Sequence, residues 1–270
     1  RYAPNAIDPA IFYNSVNKQL FMTYGSWSGG IFILELDVHS GLPKYPGKDG
    51  VDSTSGNFYD RYFGTHIAGG NHLSGEGPYI KFDKNSGFYF MFEAYGGLVA
   101  SGGYNMRMFR SKTLSGPYVD PAGNRAQNSG VDNYKYGVKL IGNYQFKNQP
   151  AYRAAGHNSL LITHDKKYYL VFHQRFSDKG EYHEVRVRQL FLNEDKWLVT
   201  AVYENKNEQI SKYSIDQVVG SYEFINAGSI TINGDKYSDE NMIISKDIAI
   251  ENKAVVVRRG KKKYYMGFFE

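Results

Sequence analysis

Three stretches of the chain, 7–37, 75–112 and 156–191, repeat one pattern of apolar and polar positions. Each opens on a polar residue (Asp8, Glu76 or His157) and passes into a short apolar run: AIFY, YIKF or SLLI. A polar turn follows (NSVNKQ, DKNSG, THDKK), then an aromatic-rich run (LFMTYGS, FYFMFEAY, YYLVFHQR). A glycine-containing loop leads to a third run: GIFILEL, YNMRMFRS or EVRVRQLF. Short aromatic and β-branched runs closed by Gly, Asn and Asp turns predict strands, and three in succession predict an antiparallel meander.

Repeated meanders predict the blades of a β-propeller, with the first strand of each lining a central axis. On that reading Asp8, Glu76 and His157 hold equivalent positions and converge. Their spacings of 68 and 81 residues exceed one blade, so 38–71 and 115–153 are expected to be long loops that wall a cleft. After Val202 the pattern changes. ENKNEQISK at 204–212 reads as a linker, followed by short strand-like runs: YEFINAG, SITIN, AVVVRR and KKYYMGFF. The expected organisation is all-β: residues 1–203 as propeller, and 204–270 as a small β domain, incomplete at its end.

Composition agrees with a β-rich chain: 24 Tyr, 17 Phe and 29 Gly among 270 residues, a length that suits one large domain plus a small one. With no cysteine there are neither disulfides nor thiolate metal sites, which fits a secreted bacterial protein. No apolar run reaches the ~18 residues of a membrane-spanning helix, and no membrane partner is expected. The chain opens on Arg1, as a processed protein or a fragment would. The formal charge of +5 comes partly from RRGKKK at 258–263, read as a solvated turn between two strands. The other cations are scattered, without an interleaved aromatic–basic motif, so no nucleic-acid partner is expected.

Candidate chemistry centres on GEGP at 75–78, where Glu76 stands between two glycines. Such a motif makes a tight turn, or it strips the neighbours of a carboxylate that a ligand must reach. Trp27 could stack on a sugar ring or cover the core. HQRF at 173–176 could be a packed strand end or line a pocket, and His66, His72, His164, His173 and His183 show no metal-ligand spacing.

NAIDP (5–9), YGSWSGG (24–30), GGNHLSGEGPY (69–79), RSKTLSGPYVD (110–120) and AAGHNS (154–159) together resemble glycoside hydrolase family 43, in particular endo-1,5-α-L-arabinanases of the larger bacterial type with a C-terminal β domain. The likeness covers nearly the whole chain. It implies a five-bladed β-propeller, about three blades of it here, and hydrolysis of arabinan with inversion outside the cell. It implies Glu76 as general acid and Asp8 as the carboxylate that orients and tunes it. Asn5, Ala6, Ile7, Ser26, Trp27 and Ser28 would bind sugar. His157 would help to hold a calcium ion, mostly through water. The 204–270 module resembles the accessory domain of the family.

One element of the family pattern has no match: the HDP-type motif that carries the general base. Asp8-Pro9 is already assigned, and Asp120-Pro121 lies in another loop. The expectation is that two blades and the base lie upstream, and that this N-terminal fragment stays associated to cover exposed strand edges. An inverting enzyme needs a protonated carboxyl on the leaving oxygen and a carboxylate holding water on the opposite face, and the bare glycines would let the sugar reach Glu76. Two other readings stand beside this one: an exo-acting arabinofuranosidase or β-xylosidase of the same family, and a carbohydrate-binding propeller without catalysis.

Overall fold

The computed structural model describes residues 3–14, 17–44, 49–52, 55–128, 135–146, 148–209, 211–214, 217 and 219, and the strand backbones between 222 and 268. The first sheet contains β1 (Ala10–Asn14), β2 (Gln19–Gly25), β3 (Ile31–Leu36), β4 (Gly50–Val51), β5 (Phe58–Asp60) and β6 (Gly64–Ala68), in the order β1-β2-β3-β6-β5-β4. The second is β7 (Glu76–Asp83), β8 (Phe88–Tyr95), β9 (Asn105–Ser111) and β10 (Val138–Ile141); the third is β11 (Tyr152–Ile162), β12 (Tyr168–Phe176), β13 (Glu184–Leu192) and β14 (Leu198–Thr200). Every pairing within them is antiparallel and follows chain order, save the β3–β6 pairing in the first sheet.

The three predicted meanders are therefore present, each with a further strand on its outer side. Those additions, β6, β10 and β14, modify the expectation of two long loops: β4 to β6 fall in 38–71, and β10 falls in 115–153.

Alternation along the strands decides which faces are buried. Ile31 and Ile33 of the first sheet pack with Ile80, Met91 and Phe109 of the second. The other face of the second sheet, with Phe90, Phe92, Met106 and Met108, packs on Leu160, Leu170, Phe172 and Leu190 of the third. Each such side chain contributes about 1.5–3 kcal/mol when fully buried, so the sheets stack face to face in chain order.

The stretch read as a linker is tied down at its start. Glu204 Oε2 lies 2.7 Å from Nη1 of the fully buried Arg188, and Gln189 exchanges two 2.8 Å hydrogen bonds with the backbone of Glu208. Further on, β15 (Tyr222–Glu223) pairs with β18 (Ile243–Ile244). β16 (Ile230–Ile232), β17 (Asp235–Tyr237), β19 (Ala254–Arg259) and β20 (Lys263–Phe268) form a sheet ordered β17-β16-β19-β20. RRGKKK falls at the β19–β20 hairpin, where Arg259 faces Lys263 across the ladder; residues 260–262 lie outside the described ones.

Candidate active site

At or just before the innermost strand of each sheet, a left-handed residue stands two positions ahead of regular pairing with the next strand. Glu76 pairs with Ala94 and Tyr79 with Phe92, so β7 has one residue more than β8 across that interval. β11 does the same between Gly156↔His173 and Ser159↔Val171. The extra residues are Gly77 (φ 60°) and His157 (φ 50°), and Asp8 (φ 56°) sits two residues before Ala10 as they sit before Tyr79 and Ser159. Bulges of this kind redirect side chains, and a non-glycine residue at positive φ stores strain typical of functional sites.

This corrects the repeat register by one residue. Asp8 is equivalent to Gly77 and His157, while Glu76 is equivalent to Ile7 and Gly156. The three polar residues still meet. Asp8 Oδ2 accepts a 3.1 Å hydrogen bond from the Gly77 N–H, and Asp8 Oδ1 lies 3.9 Å from His157 Nδ1. Asp8 thus holds the backbone beside Glu76 rather than touching its carboxylate.

Glu76, displaced by one position, faces a different set of donors. Its Oε1 accepts from the Tyr104 hydroxyl at 2.6 Å, and its Oε2 accepts from Trp27 Nε1 at 2.9 Å and Ser26 Oγ at 3.3 Å. Ser26 and Trp27 come from the loop after β2, and Tyr104 immediately precedes β9. The Trp27 backbone N–H donates to the Gly75 carbonyl at 3.0 Å. Trp27 is 37% exposed, so its indole N–H is bonded while part of its ring meets solvent. Asn5, Ala6 and Ile7 are exposed, and Ile7 is fixed through its carbonyl by Gly25 N–H. Ser28 accepts a backbone bond from His72.

The glycines flanking Glu76 have a packing reason. A Cβ on Gly75 would stand 3.0 Å from Glu93 Oε2 and from Tyr95; one on Gly77 would stand 3.1 Å from the His157 ring, at a backbone angle few side chains adopt. They admit the neighbouring sheet and the buried residues beneath.

Sequence reasoning missed Tyr104 and Glu93, and it saw His173 only within HQRF, not its pairing with His183. Tyr104 is buried and stacks on His173, with ring centroids 5.8 Å apart and planes 14° from parallel; His183 meets His173 edge-on at 4.4 Å. Burial, then His183, His157 and Arg175, push the His173 pKa down to about 4, so its ring is neutral at neutral pH. Glu93 is wholly buried below Gly75, and desolvation pushes it up to about 8, offset in part by the Tyr95 hydroxyl. Glu93 lies in no motif with an obvious signature.

The expected calcium ion would be held mostly through water, with His157 as its one named side chain. Among the described residues no three His, Asp or Glu side chains converge on a point. Calcium takes six to eight oxygen ligands, whereas His157 offers nitrogen.

Residues 2–198 match the Glycosyl hydrolases family 43 profile, and residues 207–267 match a second one, the Tyrosine--tRNA ligase SYY-like C-terminal domain. An extracellular endo-α-(1→5)-L-arabinanase of Thermotoga petrophila is 41% identical over 239 residues, covering 84% of this chain and 48% of that protein. The crystal structure of an endo-1,5-α-L-arabinanase from Thermotoga petrophila superposes with a TM-score of 0.74 at 36% identity, over 100% of this chain and 59% of that one. Part of the chain is also 48% identical over 44 residues to a tyrosine–tRNA ligase of Mesoplasma florum, 16% of this chain and 11% of that enzyme. The chain thus spans about half the length of the arabinanase relatives it matches.

Proposed function

Since the chain belongs to glycosyl hydrolase family 43, we propose that it is part of a secreted enzyme hydrolysing internal α-1,5-L-arabinofuranosyl bonds of arabinan with inversion. Glu76 is the general acid. Its proton passes to the glycosidic oxygen as the bond from that oxygen to the anomeric carbon breaks. A water molecule attacks that carbon from the opposite face and gives its proton to a base. Asp8 holds the Gly77 N–H and thereby fixes the strand start on which Glu76 sits.

The observation that carries this reading is the grip on Glu76. A partly exposed carboxylate is held by three side-chain donors from two sheets, and holding it costs freedom that an exposed acid elsewhere keeps. The base belongs, in this reading, to chain outside these 270 residues, in sheets that complete a five-bladed propeller. Exposed apolar side chains on the two end faces support that completion: Ile11 (58% exposed) and Tyr13 (54%) on the first sheet, Leu161 (54%) and Val185 (70%) on the third. The need is thus for covered faces more than for covered strand edges, and this segment is the expected partner. Calcium would draw most of its oxygens from water, with His157 helping to hold it.

The test is digestion of linear 1,5-arabinan, with products resolved by size. A ladder of short oligosaccharides from the complete enzyme, lost in Glu76→Gln, is expected. Release of single arabinose units alone would favour an exo-acting enzyme. No product even with the upstream segment supplied would leave a binding propeller.

The C-terminal module takes a second reading. Its similarity to a domain of enzymes named tyrosine–tRNA ligases, and five cations within residues 258–263, support an affinity for a polyanion such as RNA. This departs from the accessory-domain resemblance and from the expectation of no nucleic-acid partner.

A further inference from the structure

We propose that Tyr104 is a positioning residue for the acid step, and that Gly156 and His173 of the third sheet exist in this arrangement to seat it. The inference rests on the assignment of Glu76 as general acid. Tyr104 is 1% exposed, and its hydroxyl donates to Glu76 Oε1 at 2.6 Å, the shortest of the contacts to that carboxyl. Its ring reaches this place through a notch. A Cβ on Gly156 would stand 2.0 Å from Tyr104 Cε1 and 2.4 Å from Cδ1, so no other residue fits there without displacing the ring. His173, opposite Gly156 in the β11–β12 ladder, closes the notch by stacking on the ring.

The chemistry gives the contact a direction. When Glu76 yields its proton, the carboxyl becomes a carboxylate, and a hydrogen bond to a charged acceptor is about twice as strong as a neutral one. A donor already aimed at Oε1 therefore stabilises the state that proton transfer creates more than the state before it. The groups facing Tyr104 keep it a donor. Burial foremost, then Glu76 and Asp8, push its phenol far above the ordinary value, so it does not ionise. On its other side the His173 ring, with His183 behind it, is neutral. Trp27 and Ser26 act on the second oxygen, so the two oxygens of Glu76 have distinct environments.

The test uses the complete enzyme and two substrates: linear 1,5-arabinan, whose departure needs a proton, and an aryl arabinotrioside with a dinitrophenolate leaving group, which does not. Tyr104→Phe should lower kcat on arabinan about 10- to 100-fold with KM changed less than about 2-fold. Because the acid must be protonated to work, the alkaline limb of its pH profile should move to higher pH. On the aryl substrate the loss should shrink to less than about 3-fold. Gly156→Ala, which keeps the phenol but fills its notch, should give the same pattern. Equal losses on both substrates with an unmoved alkaline limb would reduce Tyr104 to a structural role and overturn the proposal. So would wild-type behaviour of Tyr104→Phe. Glu76→Gln separates this failure from that of the underlying assignment: inactivity on arabinan with activity on the aryl substrate upholds the acid, and activity on arabinan removes it and the proposal together.

Discussion

Glu93 is the residue whose ionisation the interior changes most clearly. Its carboxyl has a pKa of about 8 in the folded chain, against an ordinary value of 4.5, because it is desolvated on all sides. The folded state therefore keeps a proton that the unfolded chain releases near pH 4.5. Stability from this group is complete below that pH, falls as pH rises, and has been lost once pH passes about 8. Glu93→Gln keeps the shape without the proton-linked cost. Its Tm relative to the parent should rise between pH 5 and pH 9, by about 2–4 °C for each kcal/mol removed. Thermal melts across that range check it, and parallel curves for the two proteins would refute it. At this scale the sequence shows which residues share a motif but not which touch. Glu76, Asp8 and His157 stand in recognisable surroundings. Tyr104 lies 28 residues beyond Glu76, in a glycine loop, and its importance depends on a notch in another sheet. The one-residue offset of Glu76 was hidden too, since a bulge leaves no compositional trace when its extra residue is Gly in one strand and His in another.

Between elements, Arg110 of β9 joins the second sheet to the third. Its guanidinium lies 4.2 Å from the Phe88 ring centroid and 3.9 Å from that of Trp197, and Nη1 donates to the carbonyls of Asp195 and Lys196. A planar cation between two rings packs as well as it bonds. Arg110→Ala should cost about 1–3 kcal/mol, and Arg110→Lys should recover little of it, because an ammonium lacks the stacking plane. Urea unfolding measures both; full recovery by Lys would show that charge alone matters. Strands at this scale were legible wherever the apolar run was long and aromatic: FYFMFEAY coincides with β8 and AVVVRR with β19. The outer strands were not. β14 has three residues and β10 four, and β6 reads GTHIA, buried throughout and so without alternation. Their place is set by the sheet edge they meet, which local sequence does not encode.

For the whole molecule, the fold class and the order of the three meanders follow from the repeat, while the nature of the C-terminal module does not. Short strands of ordinary β composition suit many small domains. The polyanion reading is decided by the full chain. Folded RNA should bind at low salt and be released steeply as salt rises, and replacing Arg258, Arg259 and Lys263 together by Ala should weaken binding at least about 10-fold. Gel-shift titration checks this, and an absence of binding at low salt would return the module to an accessory role.

The seat of Glu76 has a consequence for how such a protein could be built or broken. The Glu76 carboxyl and its Tyr104 phenol belong to the second sheet, two of its donors to the first, and the notch and stacking ring to the third. Under the proposed function, turnover would require both dockings at once, first sheet on second and second on third, and the complete enzyme divided between 112 and 152 should regain activity only when its pieces rejoin in register. On that proposal, activity would act as the protein's own proofreading of assembly.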